Sequence, residues 1–187
     1  VSKHLIETPI SSVQLIDGHL LKAWRDEVRL PNGATAVREY IKHPGAVIMV
    51  PLFPDRSTIL IRQFRYPVGQ AFIELPAGKL DAGESTESAA RRELIEEIGY
   101  RPGRLQKIAE YYPCIGYSDE KMWLYLADEL MPAEQRRDHD EFLDILRLPF
   151  STAVDMARSG EITDLKTLAG LLLAERFLDK GHAYAAP

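Results

Sequence analysis

The chain has 187 residues, 45% hydrophobic and 27% charged, which suits a globular protein of one large domain or one domain plus a small appendage. That composition excludes a disordered chain, a collagen-like repeat and a coiled coil, and a chain of this length buries roughly 70% of its unfolded surface. The formal net charge is −5, from 23 Lys and Arg against 28 Asp and Glu, and this is a poor match to long nucleic acid, which needs clustered positive charge.

The lone cysteine, Cys114, allows no internal disulfide framework and points to a reducing compartment. The stretch Val1 to Glu7 has no signal-type apolar run, and no segment approaches the ~20 apolar residues of a membrane span. The expectation is a cytoplasmic protein with neither membrane nor nucleic-acid partners.

In chain order, Ser12 to Ile16 meets a turn at Asp17-Gly18, and His19 to Val28 continues as an extended stretch, a hairpin signal. Pro31-Asn32-Gly33 marks a second turn before Thr35 to Ile41. The apolar runs Ala46 to Leu52 and Thr58 to Ile61, parted by Pro54-Asp55, suit buried strands. A Gly- and Pro-rich segment, Pro67 to Gly83, holds the short apolar piece Phe72-Ile73-Glu74-Leu75. Ser85 to Ile98 predicts a helix with a Ser85 N-cap and a Gly99 stop. Strands are expected again at Leu105 to Tyr111, Lys121 to Ala127 and Phe142 to Leu148. Two helices follow, Ser151 to Ser159 and, with a Thr cap, Thr163 to Leu178. The class is α+β.

The central helix carries the chemistry. Glu93, Glu96 and Glu97 are spaced i, i+3 and i+4, so all three project from one side and repel one another. A divalent cation is the simplest compensation, and hard carboxylate oxygens favour Mg²⁺ or Mn²⁺. Arg92 beside them can fix one carboxylate through a bidentate pair. A Glu-rich helix alone is usually a solvated face. Gly78 and Glu84 upstream change this, because the whole set of fixed positions arises by chance in roughly one chain in a million or fewer.

Gly78-x5-Glu84-x7-Arg92-Glu93-Leu94-x-Glu96-Glu97-x-Gly99-Tyr100 resembles the complete Nudix box. The resemblance implies an α/β/α sandwich with a mixed sheet, preceded here by N-terminal antiparallel strands. It also implies hydrolysis of a nucleoside diphosphate linked to another moiety. It makes Glu93 and Glu97 the main Mg²⁺ ligands, with Glu96 close behind and the carbonyl of Ala77 as a further donor. The flanks Arg62-Gln63-Phe64-Arg65-Tyr66-Pro67, Glu74-Leu75-Pro76-Ala77-Gly78 and Tyr111-Tyr112-Pro113 to Glu120 are similar to the ADP-ribose and nucleotide-sugar pyrophosphatase branch. Cys114-Ile115 departs from it, since that branch more often has Ser-Pro there.

By the same resemblance Glu141, in the acidic run Asp138 to Asp144, is the candidate general base or an extra metal ligand; a solvated acidic loop is the competing reading. His139 in that run reads as a solvated loop residue. Arg38 and Arg65 are candidate phosphate clamps, and Glu120 a candidate partner for a ribose hydroxyl. Trp24 is a candidate adenine stacker, with core or interface packing as the alternative. The expected organisation is an N-terminal strand region, 1–42, serving a homodimer, with its strands available for exchange between subunits, followed by a hydrolase domain, 43–187. ADP-ribose is the leading substrate. ADP-glucose, GDP-mannose or another nucleoside diphosphate sugar is the main alternative, and a non-enzymatic ligand sensor is disfavoured by the intact box.

Overall fold

A computed structural model describes residues 2–135 and 142–180. These fall into two compact units: residues up to Gly45 together with Tyr112–Lys121, and Ala46–Tyr111 together with the described residues from Met122 on.

In the first unit, β1 (Thr8–Asp17), β2 (Lys22–Arg29) and β3 (Thr35–Lys42) form an antiparallel sheet in the order β1-β2-β3. The predicted Asp17-Gly18 turn is longer than expected. Asp17 pairs with Lys22, and Gly18 N donates to Leu21 O at 3.0 Å, so His19, Leu20 and Leu21 belong to the loop rather than to β2. The second turn is as read: Gly33 takes φ +86°, a conformation glycine adopts without strain, and Leu30 N bonds Ala34 O at 2.8 Å. The loop Tyr112–Lys121 is tied to the end of β3, with Ile41 N on Tyr117 O at 2.8 Å. All ten residues of β1 are exposed.

In the second unit, β4 (Ala46–Pro51) explains the layering. All six of its residues are buried, which requires cover on both faces. Ala46, Ile48 and Val50 pack with Phe150, Ala153, Val154, Leu171 and Ala174 of α2 (Phe150–Ser159) and α3 (Leu165–Asp179). Val47 and Met49 pack with Ala89, Ala90, Leu94 and Ile98 of α1 (Thr86–Ile98). The sheet between them is mixed, in the order β7 (Ala77–Lys79), β4, β9 (Met122–Pro132), β8 (Tyr100–Tyr111), with β4 and β9 parallel. A second sheet has the order β10 (Leu143–Pro149), β5 (Ser57–Arg65), β6 (Gln70–Glu74), all antiparallel. The expected α/β/α sandwich with a mixed sheet and separate N-terminal strands is what forms.

Three local readings need correction. The strand expected from Leu105 begins at Tyr100, because Pro102-Gly103 sits inside an edge strand, where proline costs no ladder bond and Gly103 makes room for Glu129 at φ +53°. The last helix is capped by Asp164 rather than Thr163, its Oδ2 accepting from Thr167 N at 3.1 Å. The helix expected from Ser151 starts at Phe150 after Pro149, with no side-chain cap. The strand β7 lies within the Gly- and Pro-rich segment and was not expected. Among the described residues no helix is long and apolar enough to cross a membrane.

Candidate metal centre on helix α1

Helix α1 starts where Ser85 Oγ accepts from Ser88 N at 3.1 Å and stops where Gly99 turns left-handed at φ +73°. Its apolar residues face β4, and the same side of the helix carries Glu93 and Glu97, 8% and 3% exposed. Burying two carboxylates is costly unless each is compensated. Strand β7 supplies part of the compensation. Ala77 N donates to Glu97 Oε2 at 2.9 Å. Gly78 lies against Glu93 so closely that a Cβ there would fall 1.8 Å from its Cδ and 1.9 and 2.3 Å from its carboxylate oxygens. Only the absence of a side chain at Gly78 allows this seating.

Arg92 supplies a further part. Its Nε and Nη2 form a fork to Glu84 at 3.1 and 2.9 Å. Its Nη1 is shared between Glu93 Oε1 at 2.7 Å and Glu96 Oε2 at 2.9 Å, and Nη2 also donates to Lys79 O at 3.0 Å. The hydrogen bonds that Arg92 donates to Glu84, with Glu93 and Glu96 behind them, outweigh burial and push the guanidinium further toward its charged form. The bond from Arg92 in turn holds the Glu84 carboxyl below its ordinary value. The bidentate pair expected of Arg92 is therefore made with Glu84, while the helix carboxylates share the remaining nitrogen.

The donor chemistry fits a hard divalent cation: two nearly buried carboxylates, Glu93 and Glu97, a half-buried third at Glu96, and the backbone of Ala77 in contact with one of them. Among the described residues no three acidic, His or Cys side chains converge as a closed metal cage. In this conformation Glu93 and Glu96 are turned to Arg92. Glu141 and His139 lie outside the described residues.

Arg65 is placed by a residue the sequence reading did not single out. Glu74, 1% exposed, takes a fork from Arg65 Nε and Nη2 at 2.8 and 2.6 Å and an ion pair from Lys166 Nζ. Burial raises the Glu74 pKa, but the bonds and charges of Arg65 and Lys166 outweigh it and leave the carboxyl below its ordinary value. Glu97 contributes to the field that keeps Arg65 charged. The signal for Glu74 was available: an acid inside the apolar piece Phe72 to Leu75 needs a cationic partner.

The other three candidates lie in the first unit. Arg38 gives its Nε and Nη2 to Glu7 at 2.9 and 2.5 Å, so an anion there competes with Glu7. Lys42 Nζ stands 3.8 Å from the Trp24 ring centroid and occupies one ring face. Glu120 faces His43 Nδ1 at 3.7 Å, and His43 Nδ1 already accepts from Gly45 N at 3.1 Å.

Residues 42–169 match the NUDIX domain family model. The chain is 38% identical to an ADP-ribose pyrophosphatase of Bacillus subtilis (strain 168) over 167 residues, 88% of this chain and 90% of that protein. It is 35% identical to an ADP-ribose pyrophosphatase of Mycobacterium tuberculosis (strain ATCC 25618 / H37Rv) over 190 aligned residues, 100% of this chain and 91% of that one. A GDP-mannose pyrophosphatase of Salmonella arizonae is 37% identical over 139 residues, 69% of this chain and 72% of the relative. A solved structure of an ADP compounds hydrolase shares the fold with a TM-score of 0.84 at 24% identity, covering 94% of this chain and 96% of that one.

Two outcomes follow from the site. Gly78→Ala drives the Glu93 carboxylate from its seat and lowers Mn²⁺ affinity tenfold or more, read by titration; unchanged affinity would contradict the close approach. Because the folded Glu74 pKa lies below its unfolded value, its contribution to stability is present above that value and is lost as pH falls through the folded one. Urea midpoints of the wild type therefore fall below about pH 4.3, and Glu74→Gln flattens that part of the curve; parallel curves would contradict the assignment.

Proposed function

The chain belongs to the Nudix family, and on that premise we propose that it hydrolyses the pyrophosphate bond of ADP-ribose to AMP and ribose 5-phosphate with Mg²⁺, Mn²⁺ serving as a substitute. The supporting observation is that two ADP-ribose pyrophosphatases align over nearly the whole chain, flanks as well as box.

When bound, the metal would neutralise charge developing on the phosphate oxygens. Glu93, Glu97 and the Ala77 carbonyl would hold it, with Glu96 adjacent. Arg92 keeps these carboxylates oriented and offsets their repulsion through the bonds at Glu84, Glu93 and Glu96. Glu141 acts as the base or as an added ligand: it takes a proton from the attacking water as the new P–O bond forms, and the bridging P–O bond breaks with its electron pair leaving on the departing phosphate. Arg65, fixed in direction by Glu74, and Arg38, once it releases Glu7, pair with phosphate oxygens. Glu120 accepts from a ribose hydroxyl. Trp24 stacks on adenine, in competition with Lys42 for the ring.

The relative that acts on GDP-mannose supports a second reading, in which another nucleoside diphosphate sugar is preferred. The reading also includes a cytoplasmic location, a catalytic domain over 43–187, and a homodimer formed through 1–42, with the N-terminal strands available for exchange. The apolar side chains of Ile10, Val13, Leu15 and Ile16, 44–55% exposed on the outer strand β1, support the dimer.

With Mg²⁺ and a panel of ADP-ribose, ADP-glucose, GDP-mannose, NADH and diadenosine polyphosphates, kcat/KM is highest for ADP-ribose. Glu141→Gln loses at least about a hundredfold in kcat while still binding metal. Hydrolysis of none of the panel would end the enzymatic reading. Light scattering at micromolar concentration gives about twice the 21.1 kDa chain mass, and a monomer mass would reject the dimer.

A further inference from the structure

The four residues that lead β6 into the box glycine are each held by a different neighbour. Glu74 is bound by Arg65 of β5 and by Lys166 of α3. Leu75 N donates to Thr167 Oγ1 at 2.8 Å, again on α3. Pro76 O accepts from Met49 N of β4 at 2.9 Å. Ala77 N bonds Glu97 of α1 at 2.9 Å. The holds from β4 and α1 belong to the sheet and to the metal centre. Those from α3 come from 92 residues along the chain and reach the opposite face of the sheet.

The grip of α3 is specific. Thr167 is fully buried, and its hydroxyl is used twice: it accepts from Leu75 N and donates to Asp164 Oδ2 at 2.6 Å. Asp164 Oδ2 also accepts from Lys166 Nζ at 2.9 Å, which places that ammonium between Asp164 and Glu74. The Leu75 amide can only donate and the Asp164 carboxylate only accepts, so the direction of each bond is fixed. One turn further on, Gly170 leaves room for the Leu75 side chain, since a Cβ there would lie 2.5 Å from Leu75 Cδ1. Leu75 is thus held by its amide and by its side chain from one helix. Pro76 restricts Leu75 to extended backbone, so the hold passes along the chain to Ala77. Metal–ligand distances tolerate only about 0.2 Å.

We propose that the first turn of α3 is a positioning device for the metal-binding strand: Thr167 holds the Leu75 amide and Lys166 holds Glu74, which keeps Ala77 and Gly78 seated on Glu97 and Glu93. This rests on the reading of α1 as a divalent-metal centre. Thr167 and Lys166 are positioning residues and touch neither metal nor substrate.

The test uses the full chain and Mn²⁺, titrated by electron paramagnetic resonance, beside thermal unfolding and ADP-ribose turnover. Thr167→Val keeps the side-chain shape and leaves the Leu75 amide without its acceptor. It weakens Mn²⁺ about tenfold, and Thr167→Ser restores wild-type affinity. Arg104→Met is the control for lost stability: it takes the ion-pair partner from the buried Asp128, between β8 and β9, at the sheet edge opposite β7. It lowers the melting temperature and leaves Mn²⁺ affinity unchanged. Mn²⁺ affinity of Thr167→Val equal to wild type, an equal loss in Arg104→Met, or no Mn²⁺ binding by the wild type would each overturn the positioning role. The tenfold loss without hydrolysis of ADP-ribose by the wild type would sustain the positioning role and overturn the substrate. ADP-ribose hydrolysis with unaltered Mn²⁺ affinity in Thr167→Val would do the reverse.

Discussion

The approach of β7 to α1 is the constraint around which the second unit is arranged. Two carboxylates on the core-facing side of a helix can be buried only if something polar meets them: the Ala77 amide meets Glu97 and Arg92 meets Glu93, which finds room only because Gly78 carries no side chain. A side chain at Gly78 has no room, and β7 is three residues long. Arg92 completes the balance by bonding Glu84, Glu93 and Glu96 from the outer side. The repulsion that the sequence assigns to a metal is thus partly met by the chain itself, and the carboxylates are held in place before any cation binds.

The layering brings that contact within reach of both faces. Strand β4 is buried on each side, with α1 packed on one and α2 and α3 on the other. Strand β7 pairs beside it through Ile48 and Ala77. The chain entering β7 is therefore accessible to α1 at Ala77 and to α3 at Glu74 and Leu75. Mixed-sheet topology is what converts two helices distant in sequence into two supports of one short strand.

Much of this was legible in the sequence, for local reasons. Helix α1 announced itself by Ser85, Gly99 and the spacing of its carboxylates; β4 did so by an unbroken apolar run. What was not legible depends on distance or on competing local signals. The strand expected from Leu105 starts earlier, at Tyr100, and runs through Pro102-Gly103 because Glu129 opposite adopts the conformation that accommodates Gly103. Thr163 and Asp164 are both good caps, and only the reach of Asp164 to Thr167 and Lys166 decides between them. Glu74 and Lys166 are 92 residues apart, and no periodicity joins them. For Arg38 and Trp24, the sequence named the residues but not the neighbours, Glu7 and Lys42, that occupy them.

The most direct measurement of the central claim is an anomalous difference map from crystals of the protein soaked in Mn²⁺. The account predicts a peak bounded by the carboxylates of Glu93 and Glu97 and the backbone of Ala77. Strong Mn²⁺ peaks confined to other parts of the surface would contradict it.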